Sequence, residues 1–253
     1  MPAFALLSLA GGSASALLYV ATLAALPGMV TFVLLVPLPL LLVGLSRQQG
    51  AAGAALAGGI GTLAVGLTAG PWAAGNYAIT EAVPAFILAR QGTLSRHHAD
   101  GRTEWYPTGA LLVLLSLYAV AVLLAFMLFF MGSEGGLEGE LERAVAAVFQ
   151  DVGIHLPPQA ERLVEAFVDI MPGLAASTWL LVTAGNASLA QEILERVRWN
   201  LRPGPALASL TLPSWLAAAV ALAAAAGLLA SGSLGFAGRN LSFILAMPYF
   251  FGG

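Results

Sequence analysis

The chain has 253 residues, of which 59% are hydrophobic and 9% are charged, and its mean hydropathy is +0.87. Because a soluble domain carries roughly 25% charged residues, this composition excludes an ordinary water-soluble protein. The net charge is -3 and the basic residues are dispersed, so the chain offers no electrostatic surface for nucleic acid. The lack of cysteine excludes disulfides, thiolate metal sites and cysteine nucleophiles.

The first part of the chain contains four apolar blocks, and crossing a bilayer takes roughly 20 such residues. The blocks cover residues 5–26, 29–45, 51–68 and 71–89. No basic segment precedes the first block, so we expect a retained span rather than a signal peptide. The third block is rich in small residues spaced four apart, which predicts two ridges that let other helices approach closely. The ridges are Gly53, Ala57 and Gly61, and Gly58, Thr62 and Gly66.

The second part begins with a polar connector, residues 90–106, and a fifth apolar block, residues 108–131. Residues 132–171 form an acidic insert, whose apolar residues recur at helical spacing on both sides of Pro157-Pro158. This pattern predicts two short amphipathic helices on the membrane surface. We expect a sixth span after Pro172, as far as residue 190, a seventh over residues 215–229 and an eighth from Phe236.

The sequence therefore predicts an all-α, polytopic transmembrane bundle of about eight spans, forming a single membrane domain over residues 1–253. All ten basic residues are arginine and Ala, Gly and Leu are abundant, which indicates a GC-rich bacterial genome. Seven arginines fall in connections on one predicted side and three on the other. The positive-inside rule then places the amino terminus in the cytoplasm of an inner-membrane protein and the acidic insert outside.

Polar residues inside membrane spans normally face the interior of the helix bundle. Three predicted spans carry such a stripe, and three stripes together would line one polar cavity. The stripes are Ser8, Gly12, Ser15, Tyr19 and Thr22 in the first span, Asn76, Tyr77, Thr80 and Glu81 in the fourth, and Trp179, Thr183 and Asn186 in the sixth.

Glu81 is the most informative of these residues, because a carboxylate in mid-span must be protonated, paired or hydrated. Two interpretations stay open: a buried ion pair with Arg239, and a site for a solute or a proton. The neighbouring His97 and His98 are expected in a solvated loop. Because the sequence has no phosphate loop and no recognisable hydrolase motif, we expect no enzyme, no catalytic residue, no metal and no cofactor.

Four motifs resemble those of a known family. They are residues 35–45 (LVPLPLLLVGL), Trp105-Tyr106-Pro107, Ser177-Thr178-Trp179 with Asn186, and Gly235-Phe236-Ala237-Gly238-Arg239-Asn240. In order and over nearly the whole chain, they resemble the YybS-like family of predicted bacterial membrane proteins, domain of unknown function 2232, in its alphaproteobacterial form. Members of that family usually continue past the stretch matched by residues 248–251, so we expect a truncated last span.

The resemblance has a functional implication, since this family is regarded as distantly akin to the substrate-binding components of energy-coupling-factor vitamin transporters and to the rod-shape protein MreD. It implies a small-solute binder that takes its energy from separate ATPase and scaffold subunits. The expected partners are thus the lipid bilayer, a small solute and separate energising or envelope subunits.

Two functional hypotheses follow. The first is a transport-related membrane protein that binds a small solute and lacks its own ATPase. The second is a non-transporting scaffold of the cell envelope, whose stripes only pack helices and whose acidic insert contacts periplasmic partners. The candidate solute-binding residues are Tyr19, Asn76, Tyr77, Glu81, Trp179, Asn186 and Arg239.

Overall fold

The computed structural model describes residues 2–24, 33–153, 157–204 and 210–252. Within these ranges the chain is helical apart from one two-stranded hairpin and connecting turns, which confirms the predicted all-α class. The elements are α1 (Pro2–Leu23), α2 (Leu38–Leu45), α3 (Gly50–Ala69), α4 (Pro71–Tyr77), a π-helical turn (Ala78–Ala82), α5 (Val83–Gly92), β1 (Ser95–His97), β2 (Thr103–Trp105), α6 (Thr108–Phe129), α7 (Gly136–Asp151), α8 (Pro158–Arg196), α9 (Trp215–Leu229) and α10 (Gly232–Gly252).

Several of these helices match the predicted membrane spans. Among the described residues, α1 (over Ala3–Leu23), α3, α6 and α8 are long and apolar enough to cross a membrane, while α9 is apolar but shorter. Helix α3 begins and ends within one residue of the predicted third span, and α9 has the predicted bounds of the seventh. The total of about eight spans stays a prediction.

The second predicted span is shorter in the structure than in the sequence analysis. Its residues 29–32 lie outside the described ranges, and residues 34–37 form turns before α2 begins at Leu38. Pro37 and Pro39 lack a backbone N–H and therefore cannot donate within a helix interior. They lie at the first turn of α2, where proline is tolerated.

The chain forms two compact units. Unit 1 comprises Met1–Leu111 and Leu181–Ser209, and unit 2 comprises Leu112–Leu180 and Leu210–Gly253. Helices α6 and α8 contribute residues to both units.

Helix packing in unit 1 depends on the small residues of α1 and α3. A Cβ atom at Gly12 would collide with the carbonyl oxygen of Ala57, so α1 and α3 are in backbone contact there. A Cβ atom at Gly58 would lie 2.9 Å from Cβ of Ala82. Both contacts involve the ridges that the spacing in the third block predicts, and they show why larger side chains do not fit.

The fourth predicted span is α4, the π-helical turn and α5 in succession. Pro84 lies in the first turn of α5, and it cannot donate a hydrogen bond to the carbonyl four residues earlier. The regular α-helical ladder is therefore interrupted where the wider π turn occurs. Glu81 lies in this turn.

The helix that contains the predicted sixth span begins earlier than Pro172, because α8 runs through Pro172 without a break and has 39 residues in all. Of the two short helices expected in the acidic insert, the first corresponds to α7, but the second is only the beginning of α8. A side chain from α10 explains the continuity. Gly173 N–H donates to Asn240 Oδ1 at 2.6 Å, and Asn240 Nδ2 donates to the carbonyl of Asp169 at 2.8 Å. The carboxamide thus bridges the turn that proline interrupts.

The polar connector contains a hairpin that the sequence analysis did not predict. β1 pairs with β2 antiparallel, and Gly101 in the turn has φ +84°. The expectation that the two histidines lie in a loop is wrong for His97, which belongs to β1. Both histidines are solvent-exposed, and they contact Thr103 and Glu104 across the hairpin at 3.0 and 2.9 Å.

Three arginine-bearing connections meet in unit 1. Arg47 N–H donates to the carbonyl of Trp199 at 2.9 Å. The Arg202 guanidinium donates to the carbonyls of Gly92 and Tyr106, both at 3.2 Å. These are the connections that arginine counting assigns to one side of the membrane, and the structure brings them together.

Candidate functional site

Two of the predicted site residues, Tyr19 and Tyr77, meet inside unit 1. Their ring centroids are 5.2 Å apart and their planes meet at 79°, an edge-to-face arrangement that aromatic rings favour. Tyr77 is fully buried, and its hydroxyl donates to Ser15 Oγ at 2.8 Å, which donates to the carbonyl of Val36 at 2.7 Å. A Cβ atom at Gly61 would lie 2.8 Å from Cζ of Tyr77, so the ring needs a glycine at this position.

Glu81 is the charged member of this cluster. Its carboxyl group lies close enough to Tyr19 and Tyr77 to interact electrostatically with both, while the hydroxyl of the adjacent Thr80 donates to the carbonyl of Asn76 at 3.0 Å. One oxygen of the carboxyl group, Oε2, is buried and has no hydrogen-bond partner among the described residues. None of the ion pairs in the described ranges includes Glu81.

Asn186 also lies in unit 1, on the second half of α8. Its Nδ2 donates to the carbonyls of Leu34 and Val182 at 2.6 and 2.8 Å. Its Oδ1, together with Thr183 Oγ1 and Gln191 Oε1, is buried without a partner among the described residues. This part of α8 therefore has three buried polar atoms without hydrogen-bond partners among the described residues. Two of them belong to residues of the predicted stripe.

Asn76 does not join the interior of unit 1. Its side chain is exposed, whereas the adjacent Tyr77 is fully buried. Consecutive residues of a helix point about 100° apart, so the two cannot share one face. The structure therefore does not bring Asn76 into the buried cluster with Tyr77.

Trp179 and Arg239 belong to unit 2. Trp179 packs against Tyr118, with ring centroids 6.0 Å apart. Arg239, considered as a partner for Glu81, instead pairs with Asp169, at 2.5 Å from Nε to Oδ2 and 2.7 Å from Nη2 to Oδ1. The guanidinium also donates to the carbonyl of Gly227 at 3.0 Å, so the structure gives Arg239 partners other than Glu81, the pairing that the sequence left open.

Three buried polar residues of unit 1 are not among the predicted site residues. Ser15 links Tyr77 to the backbone. Gln49 is buried and accepts a hydrogen bond from Ser8 Oγ at 3.3 Å, and Gln191 is buried in α8. A glutamine within or beside an apolar run was the available signal. No three His, Cys, Asp or Glu side chains gather at metal-binding distance in the described ranges.

The cluster of Tyr19, Tyr77 and Glu81 can bind a ligand through two kinds of contact. The unpartnered carboxylate oxygen accepts a hydrogen bond or pairs with a cation. The two aromatic rings contribute apolar surface and, toward a cation, the negative faces of their π systems.

Comparison with known proteins gives one match. The family described as "Predicted membrane protein (DUF2232)" matches residues 13–253, a range that includes every candidate site residue. No curated protein and no solved structure matches the chain.

Proposed function

The chain belongs to the DUF2232 family of predicted membrane proteins, and from this premise we propose that it is a transport-related protein that binds a small solute inside unit 1. The proposal includes a multi-pass topology of about eight spans in the bacterial inner membrane. Because the 253 residues of the chain contain no nucleotide-binding motif, transport would take its energy from separate subunits. The kinship with energy-coupling-factor components is part of this proposal.

The observation that carries the proposal is the buried Oε2 of Glu81, which has no partner among the described residues. An ionisable group within a membrane protein is costly, and such groups usually serve a function. Two neighbouring features support this interpretation. Glu81 lies in a π-helical turn, a rare conformation that is frequent at functional sites, and it lies beside two tyrosines rather than beside a basic residue.

Ligand-induced stabilisation tests the proposal, because a ligand that binds only the folded state raises its stability. The purified chain is screened for thermal stabilisation by a library of small solutes. We expect at least one stabilising solute, and Glu81→Gln to abolish its effect while the ligand-free midpoint stays at or above that of the wild type. Asn76→Ala is the matched control, because this exposed residue shares the helix and leaves the effect intact.

Two outcomes oppose the proposal. If Glu81→Gln lowers the ligand-free stability by about 3–5 kcal/mol, Glu81 is one half of a buried pair, since breaking such a pair has that cost. If a stabilising solute acts equally on the wild type and on Glu81→Gln, the solute binds elsewhere.

A second candidate function is the non-transporting scaffold, and the acidic insert supports it. Four large apolar side chains are exposed among the described residues of the insert: Val148 at 61%, Val152 at 65%, Leu163 at 73% and Phe167 at 53%. Apolar side chains on an acidic, amphipathic segment are typical of a surface that binds a membrane or a protein. Shortening the insert separates the hypotheses: loss of envelope partners with intact solute binding favours docking, and unchanged association counts against the scaffold.

The proposed orientation has the amino terminus in the cytoplasm and the acidic insert outside. It is supported by the arginine-bearing connections around Arg47, Arg102 and Arg202, which contain seven of the ten arginines. Hydrogen bonds join the three connections, as expected if they lie on one side of the membrane.

A further inference from the structure

Unit 2 contains a cavity of about 500 Å³ that the proposed solute site does not use. It lies between the end of α6, the turn that leads into α7, and the first turn of α10. Cavities of about 300–1,000 Å³ are typical of small-molecule sites. We call it the α6–α10 cavity.

One wall of the cavity is an apolar stripe. Leu124, Met127, Leu128 and Met131 line it, and their spacing of three, one and three residues places them on one side of the helical turn that ends α6. Leu128 and Met131 are 68% and 75% exposed. Because α6 is a candidate membrane span, we expect this exposed wall to face lipid, and methionine side chains adapt readily to a flexible chain.

The lining of the cavity also includes an acidic side chain. Among the described residues that line it, Glu138 carries the one ionisable side chain. Burial raises the pKa of this carboxyl group, and the nearby charges of Asp169 and Glu142 raise it further, while Arg239 lowers it. Arg239 is already paired with Asp169 at 2.5 Å. The negative charge of Glu138 is therefore left without a dedicated cation.

The apolar wall and Glu138 correspond to the two parts of a lipid. The wall lies on the candidate span α6, and Glu138 follows it in the acidic α7, outside the candidate spans. A molecule that contacts both has an apolar chain and a cationic group. The bilayer supplies such molecules directly, and the exposure of the wall leaves the cavity open to it.

We propose that the α6–α10 cavity binds a phospholipid with an ammonium headgroup, whose acyl chain lies along the α6 wall and whose ammonium group pairs with Glu138. This site is separate from the solute site in unit 1 and does not depend on it. The ammonium donates to the carboxylate in a charge-assisted hydrogen bond, the strongest kind in proteins.

Lipid retention measured by native mass spectrometry tests this proposal. The full chain is reconstituted with equal amounts of phosphatidylethanolamine and phosphatidylglycerol that carry identical acyl chains. The detergent is then removed in the gas phase, and the masses show which lipid each protein molecule retains. We expect about a tenfold preference for phosphatidylethanolamine, the factor that a hydrogen bond to a charged group provides. Glu138→Gln should retain the two lipids equally.

Two further variants make the test specific. Glu142→Gln removes the same charge from an exposed position of α7 that does not line the cavity, and it should keep the preference. Met127→Trp fills the cavity and should reduce retention of both lipids. Equal retention by the wild type, a preference for phosphatidylglycerol, or a preference unchanged in Glu138→Gln each overturns the proposal. If a variant fails to fold, the retention of the two lipids by the wild type still tests the proposal. Displacement of the lipid by free ethanolamine would assign the cavity to a soluble amine instead.

Discussion

Replacing Asn240 by leucine should destabilise unit 2, because Asn240 holds α8 together at Pro172. The side chain is fully buried, at 0% exposure, and it makes three hydrogen bonds to backbone groups. Its carboxamide accepts from Gly173 N–H and donates to the carbonyls of Asp169 and Phe236. Leucine has nearly the same size and can make none of these bonds.

The expected magnitude follows from the groups left unpartnered. Gly173 N–H and the carbonyl of Asp169 lose their partner in the gap that Pro172 opens, and a buried unsatisfied group costs about 1–3 kcal/mol. Phe236 keeps its place in the helical ladder of α10 and contributes little. Because Asp169 is only partly buried, we expect Asn240→Leu to lower the free energy of unfolding by about 2–4 kcal/mol.

Titration with a denaturing detergent in mixed micelles measures this change, and a double-mutant cycle with Pro172→Ala tests its cause. Alanine restores a backbone N–H at position 172 and lets α8 close its own ladder. Asn240→Leu should then cost at least about 1 kcal/mol less in the Pro172→Ala background, since coupled residues deviate from additivity. Additive effects of the two substitutions would refute the idea that Asn240 compensates for the proline. Ser242→Ala, two residues along α10, is the control and should be nearly neutral.

Two further predictions concern unit 1 and the topology. Gly61→Ala places a methyl group against the ring of Tyr77 and should destabilise the protein by about 1–3 kcal/mol in the same detergent titration. Gly59→Ala places its methyl group in open space and should leave the stability unchanged. Equal effects of the two substitutions would contradict the packing described. Because the chain has no cysteine, single cysteines report sidedness: a membrane-impermeant maleimide added to intact cells should label Glu142→Cys and spare Arg96→Cys. The opposite pattern would reverse the proposed orientation.

Much of the fold follows from properties that the sequence displays locally. The bounds of the apolar blocks locate α3 and α9 almost to the residue. The four-residue spacing of small side chains predicts the close approach at Gly58 and Gly61. The polar stripes of the first and fourth spans contain Tyr19 and Tyr77, which the structure brings into contact.

The errors arise where a distant residue or an unused signal decides the structure. Pro172 predicts a helix end, but the carboxamide that bridges it lies 67 residues along the chain from Gly173. The partner of Arg239 is 70 residues away, and no local pattern distinguishes Asp169 from Glu81. The hairpin after α5 was predictable, since Asp100-Gly101 is a strong turn signal.

A solute held at Glu81 can be detected most directly by native mass spectrometry of the gently extracted, affinity-purified chain, compared with Glu81→Gln prepared in parallel. We expect the wild type to retain a small molecule at one copy per chain and Glu81→Gln to lose it. A wild type that emerges without a solute but bound to envelope proteins would contradict the solute-binding proposal and favour the scaffold.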